Sequence, residues 1–261
     1  MDQNDHKSIS DKLTQARLNG APIAQFGDSF KSFSEADAYT IQELGIQERL
    51  ARGERLIGIK MGLTSEAKRK QMDLHSPLYG ELTEVMEVAA GGAYSLAGTI
   101  HPKIEPEIAF KIGRELSGEV TREEVLEACV GVCAAMEILD SRYEHFKYFS
   151  LEEVIADNSS SSHFVLGPWV SDVKRLDLIN LKLAMSVNGE VAHEGVSSAI
   201  SGDPVVSVIQ LCELLARRGR VCPAGSIILA GAATAAVALE AGQRVELTVE
   251  GLPSVALSIT A

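Results

Sequence analysis

Several things are scarce in this 261-residue chain, and each scarcity removes a class of function. Cysteine occurs only as Cys129, Cys133, Cys212 and Cys222, and no two of them form a C-x-x-C pair. That pattern disfavours a zinc site and a catalytic thiol. The four read instead as buried thiols acting as small hydrophobes, with Cys129 and Cys133 on a helix beside Val125 and Met136. Positive charge is also short: 24 Lys and Arg face 36 Asp and Glu, a net charge of −12. This argues against nucleic acid or an anionic membrane surface as partner. A small anionic substrate stays open, because a local cation can reverse the field inside a pocket. No apolar run is read as long enough to span a bilayer, and the opening MDQNDHKSIS holds no signal-like apolar region. The expectation is a soluble, cytoplasmic protein. Walker A and G-x-G-x-x-G are missing, so no nucleotide site is indicated. No G-x-S-x-G surrounds a serine, so no hydrolase nucleophile is indicated.

What is present is the composition of an ordinary globular protein, 46% hydrophobic and 23% charged. The N-terminal third reads as helical. Ser34 with Asp37 resembles a helix cap, Ala38, Ile41 and Leu44 follow at helical spacing, and Gly53 is a stop. "RLIGIKMG" reads as a buried strand ending at Gly62, "TSEAKRKQM" as a short polar helix, and "DLHSPLYGEL" as a loop. Thr121 and Glu124 fit a capping box that opens a helix, and "AMEILD" reads as a strand. Further on, Asn188-Gly189 predicts a type I′ hairpin turn. Asp203, Pro204 and Gly219 bracket a helix with an apolar stripe of Val205, Val208, Ile209, Cys212 and Leu215. "SIILAG" and "RVELTVEGLPSVALSI" supply three more strands. Strands and helices do not alternate regularly, so a doubly wound parallel fold is disfavoured. The expected class is α+β, one chain with a helical part over about residues 1–75 and a curved, mixed β core over about 76–261.

Four places can carry chemistry. In "PKIEPEIAF", Ile104, Ile108 and Phe110 share one strand face, while Glu105 and Glu107 share the other, roughly 6–7 Å apart. Glu137 sits between Met136 and Ile138 on a second strand. Carboxylates in apolar strands are costly unless paired or metal-bound, and three oxygen donors suit Mg²⁺ or Mn²⁺. For an isolated E-x-E, a solvated strand face is nevertheless the better reading. Lys60, between Ile59 and Met61, either faces solvent or is buried and needs an anion nearby. "IADNSSSSHF" offers a dense set of short donors and acceptors, which composition alone assigns to a polar turn. His101 precedes the acids and is as fit for capping or facing substrate as for ligation.

Taken together, "GIKMGLTS", "PKIEPEIAF", "AMEILDSRY", "IADNSSSSHFVLG" and "LAGAATAAVAL" resemble, in this order, the 2-oxopent-4-enoate hydratase and 4-oxalocrotonate decarboxylase family of the fumarylacetoacetate hydrolase superfamily. The resemblance runs from about Gly53 to the C-terminus and weakly through the N-terminal helices. It implies a divalent metal, usually Mg²⁺, on Glu105, Glu107 and Glu137, and so overturns the solvated-face reading. It also implies Lys60 in the active site, Ser160 and Ser161 against the substrate, and Thr234 as a further contact. Hydratases of the family carry an acid in a "PDFG"-like loop; here "SPLYG" puts Leu78 in its place, and a leucine cannot take or deliver a proton. The resemblance implies as well that the segment Asp157–Ser162 lines the pocket, and that the reaction is decarboxylation of 2-oxo-3-hexenedioate to 2-hydroxypenta-2,4-dienoate and CO₂, in meta-cleavage degradation of catechols. For that reaction Leu78 and Tyr79 are expected to form a dry wall near the departing carboxylate, since desolvation favours its loss. The alternatives are hydration of 2-hydroxypenta-2,4-dienoate and a non-catalytic member that stabilises a hydratase. A homo-oligomer and a complex with the pathway hydratase are expected from the resemblance alone.

Overall fold

In the computed structural model, residues 1–26, 33–65, 69, 76–145 and 150–261 are described. Two helices lead the chain, α1 (Gln3–Asn19) and α2 (Glu35–Ala51). Each starts at a reciprocal capping box, Asp2 with Asp5 and Ser34 with Asp37, which satisfies N–H groups that have no partner inside the helix. The strand β1 (Leu56–Gly62) follows as the sequence predicts. The predicted polar helix over "TSEAKRKQM" falls largely outside the described residues. The predicted loop ends early, because Leu78–Thr83 forms the fully buried strand β2.

The chain continues through β3 (Glu87–Val88), β4 (Ala93–Ser95) and the long β5 (Lys103–Ile112). Thr121 and Glu124 cap α3 (Arg122–Ala128) as expected. Cys129 and Cys133 are not helical, however: α3 stops at Ala128, and both cysteines lie in β6 (Cys129–Leu139). The run CVGVCAAMEIL is apolar on both faces, and such a run does not separate a helix from a doubly buried strand by periodicity. Next come α4 (Leu151–Ala156), β7 (Ser161–Leu166) and the hairpin β8 (Lys182–Val187) to β9 (Glu190–Val196). Its turn residues Asn188 and Gly189 both take positive φ, as a type I′ turn requires. Asp203 caps α5 (Pro204–Arg217), with Pro204 in its first turn. The strands β10 (Ile227–Ala232), β11 (Val237–Ala238), β12 (Arg244–Val249) and β13 (Leu252–Thr260) complete the chain.

The strands make two sheets. One has the order β2-β1-β10-β5-β6-β7-β3, with β11 also on β5; the other has the order β4-β13-β12-β8-β9. The first is mixed, since β1–β10 and β3–β7 are parallel and its other pairs antiparallel. This is the expected α+β architecture, although β1 belongs to the sheet rather than to the helical part. The larger apolar cluster joins the helices to Ile104, Ile108, Phe110, Met136 and Ile138. A smaller one holds Leu82, Ala109, Cys133, Ala135, Phe164 and Leu229 on the opposite face of the same strands. One stretch, Ser197–Arg217, is long and apolar enough to cross a membrane, contrary to the sequence reading. Its residues Val205, Val208, Leu211, Cys212 and Leu215 are buried in this protein's own core.

Candidate metal centre and active site

Register puts the acids together. Glu105 pairs directly with Glu137 across β5 and β6, and Glu107 is two residues along on the same face. One oxygen from each of the three lies within 4.8 Å of the others. Glu107 and Glu137 are fully buried, and Glu105 is half-buried. Like charges at this spacing repel strongly away from water. Burial first, then Glu137 and Glu105, push the Glu107 carboxyl well above its ordinary range, while Lys60 and the Gly231 amide oppose the rise.

Lys60 reaches this cluster only because the sheet curls. Strands β1 and β6 are separated by β10 and β5, which would place them about 14 Å apart in a flat sheet. Yet the Lys60 Nζ donates to Glu137 Oε2 at 3.1 Å. Lys60 is only 2% exposed, so the choice left open by the sequence falls to burial with an anionic partner. The Ser161 hydroxyl donates to the other Glu137 oxygen at 2.8 Å. Glu137 is thus held at both oxygens by protein donors.

Glu107 is held at one. Its Oε2 accepts from the Gly231 amide at 2.7 Å, while its Oε1 is buried without a partner. Gly231 is required there: its φ is +111°, and a Cβ would stand 2.3 Å from Thr64 Oγ1. It also falls where the β10–β5 register shifts, between Leu229 and Ala232, a bulge that turns an amide inward. A buried carboxylate oxygen lacking a partner, among three convergent carboxylates, is the donor set of a hard divalent cation such as Mg²⁺. The residues present fit that group.

The serine segment is built to deliver Ser161. Asn158, Ser159 and Ser160 have φ of 49°, 56° and 54°, three consecutive residues in the left-handed region. Such strain persists only where surroundings over-determine it. Here the Asn158 side chain accepts from the Glu81 amide at 2.8 Å and donates to the Glu81 carbonyl at 3.0 Å. Arg142 locks the other end. Its guanidinium binds the Asp157 carboxylate and carbonyl, the Asp140 carbonyl at 2.6 Å and the Ser161 carbonyl at 3.0 Å. Two strand glycines admit the segment: a Cβ on Gly80 would lie 2.7 Å from the Asn158 carbonyl oxygen, and one on Gly62 2.8 Å from Ser159 Oγ.

Residues 72–260 match the family model described as fumarylacetoacetate (FAA) hydrolase C-terminal. The chain belongs to the fumarylacetoacetate hydrolase family. It is 45% identical over 253 residues to a 4-oxalocrotonate decarboxylase of Pseudomonas sp, covering 97% of each chain. It is 36% identical over 252 residues to the 2-hydroxyhexa-2,4-dienoate hydratase of Comamonas testosteroni, covering 95% of each. Its structure superposes with a TM-score of 0.96, at 37% identity and over 99% of this chain and 98% of the other, on the 4-oxalocrotonate decarboxylase from Pseudomonas putida G7 complexed with magnesium and adipate.

Within this family fold, Lys60, Glu105, Glu107, Glu137 and Ser161 come together. The other expected residues are placed differently. Leu78 pairs with Gly62 and so lies on the face that Lys60 uses. Tyr79, its neighbour, points to the opposite face, where its ring stacks on Tyr39 of α2 at 4.6 Å. Alternation along a strand therefore breaks the expected two-residue wall. Ser160 turns its hydroxyl toward Asp157 at 3.5 Å. The Thr234 hydroxyl donates to the Ala235 carbonyl at 3.2 Å, and a Cβ on Gly195 would lie 2.9 Å from the Thr234 methyl. His101 holds the Tyr143 carbonyl through Nε2 at 3.1 Å and lies outside the acid cluster. Sequence reasoning missed Gly231, Gly62, Gly80 and Arg142. Glycines interrupting apolar strands were the available signal for the first three.

Proposed function

We propose that the chain is a divalent-metal-dependent carboxy-lyase that converts 2-oxo-3-hexenedioate into 2-hydroxypenta-2,4-dienoate and CO₂. The observation that carries this is the convergence of Glu105, Glu107 and Glu137, with an unpartnered buried oxygen, beside Lys60. A Mg²⁺ (or Mn²⁺) held by the three carboxylates would supply a Lewis acid, drawing electron density toward a 2-oxo oxygen as the distant carboxylate leaves. The magnesium and adipate bound by the Pseudomonas putida G7 enzyme support both the metal and a dicarboxylate substrate.

The chain's own residues do the rest. Lys60 fixes Glu137 and offers further N–H groups at the same place, where it orients a substrate carboxylate or hands a proton to an enolate oxygen. Ser161 fixes the second Glu137 oxygen, so the carboxylate keeps one orientation. Leu78, buried on the Lys60 face, excludes water and has no proton to exchange. That favours loss of a carboxylate over addition of water. Leu78→Asp should slow CO₂ release on the order of tenfold; unchanged turnover would remove Leu78 from the reading. Ser160, Thr234 and Tyr79 have weaker geometric support as substrate contacts.

The deciding experiment is CO₂ release from 2-oxo-3-hexenedioate with Mg²⁺ and after chelation. Metal-dependent CO₂ is the expected result. No CO₂ with Mg²⁺ present, together with water addition to 2-hydroxypenta-2,4-dienoate, would replace the decarboxylase with the hydratase. The reading extends to a cytoplasmic homo-oligomer that associates with the hydratase consuming its product. Light scattering of the chain alone, and then mixed with that hydratase, tests both associations.

A further inference from the structure

One side chain of the serine segment has no use within the fold. Asn158 bonds the Glu81 backbone, Ser160 turns to Asp157, Ser161 to Glu137 and Ser162 to His163 Nδ1. The Ser159 hydroxyl has no hydrogen-bond partner among the described residues, although only 4% of the residue is exposed. Its φ of 56° is one that glycine adopts freely and serine does not. A serine held there, buried and without a partner, is a donor that the chain alone does not satisfy.

Ser159 packs on the Lys60 side of the sheet. Gly80 pairs with Lys60 and Gly62 with Leu78 across β1 and β2, so these four share one face. A Cβ on Gly80 would lie 3.2 Å from Ser159 Cβ, and one on Gly62 would lie 2.8 Å from Ser159 Oγ and 2.7 Å from Leu78 Cδ1. The hydroxyl therefore meets Leu78 over Gly62. Two residues beyond the pair Lys60–Leu229, the parallel register of β1 and β10 brings Gly62 level with Gly231, whose amide binds Glu107. Only β10 separates β1 from β5, a span of about 10 Å in a flat sheet and less in this curled one. An extended six-carbon diacid has that reach. With one end on the acid cluster, its other end falls against Ser159 and Leu78.

We propose that Ser159 is a specificity residue: its hydroxyl donates to the substrate carboxylate far from the metal, so that the site prefers a 2-oxo diacid to the matching 2-oxo monoacid. This rests on the function proposed above and adds the group that reads the second carboxylate. The residue type suits the chemistry. A carboxylate that leaves as CO₂ gives up its charge toward the 2-oxo end. A cation beside it would stabilise that charge and resist the loss, whereas a neutral hydroxyl holds the group in place with less binding to surrender. Leu78 alongside offers no second donor.

Calorimetry on the Mg²⁺-loaded protein tests it with 2-oxohexanedioate and 2-oxohexanoate, saturated acids that differ only in the distal carboxylate. The parent should bind the diacid more tightly. Ser159→Gly should weaken the diacid about tenfold, the scale of one hydrogen bond to a charged group, and leave the monoacid within about twofold. Ser159→Ala should show the same split. Ser159→Gly should melt close to the parent, since glycine accepts the positive φ, so a loss of folding does not stand in for a loss of contact. The proposal is overturned if the parent binds neither acid or binds both equally, or if both variants keep the parent's preference. It is overturned equally if they weaken the two acids alike, which would make Ser159 a support for its segment. Failure of the assigned reaction reads out separately. A parent that selects the diacid through Ser159 yet releases no CO₂ from 2-oxo-3-hexenedioate keeps this contact and loses the decarboxylase.

Discussion

Two buried ion pairs sit at either end of the same short segment, and they differ in what is left over. Arg142 and Asp157 satisfy one another and three backbone carbonyls. Lys60 and Glu137 also bond, but the next carboxylate, Glu107, keeps an oxygen without a partner. The first arrangement is complete as protein; the second is complete only with something added. A buried charge pair by itself is weak evidence for function. An unfilled valence beside one, in a cluster of like charges, is much stronger.

The largest expected effect breaks the incomplete end. Glu107→Gln should lower metal-dependent turnover by about 10²–10³-fold or more. It should leave the thermal stability of the chelated protein unchanged or raised, because it removes a buried acid from between two others. A large loss of stability without metal would mean that Glu107 is structural.

Breaking the complete end should do the reverse. Arg142→Met strands Asp157 and should cost about 3–5 kcal/mol, lowering the melting temperature by roughly 10 °C. Lys60→Met should lower turnover by about 10²-fold with a smaller shift in melting temperature when metal is present. Equal destabilisation by the two variants would erase the distinction between the pairs.

The comparison also predicts a pH slope. Burial, partly offset by Arg142, raises Asp157 from 3.8 to about 6. Between those values the folded chain binds a proton that the unfolded chain does not. The stability from this group is therefore full below about 3.8 and is lost as pH rises through about 6, on the order of 2–3 kcal/mol. Denaturant titrations at pH 4.5 and 7.5 should show Asp157→Asn losing that difference. An unchanged slope would assign it to another group.

These contrasts mark how far the sequence could be read. Capping boxes, the Asn188-Gly189 turn and the start of α5 are local chemistry and were legible one residue at a time. The acid site needed order along the chain, because E-x-E on one strand and Glu137 on another meet only through register. Cys129–Leu139 was misread in part because a strand buried on both faces carries no period. Arg142 stayed hidden because most of its work is done on backbone carbonyls, which no side-chain pattern announces.

The smallest expected effect tests the alternation that separated Leu78 from Tyr79. Tyr79 stacks on Tyr39, with Arg220 5.9 Å from its ring centre, and its hydroxyl is buried without a partner. Tyr79→Phe keeps the ring and removes only that oxygen, so stability should hold or rise slightly. Turnover and KM should stay within about twofold of the parent, the scale of a few tenths of a kcal/mol. Leu78→Asp, one residue away, should be the slower enzyme. If Tyr79→Phe raises KM while Leu78→Asp does nothing, the substrate lies on the helical side of the sheet. The acid cluster on the inner face would then have to be explained without it.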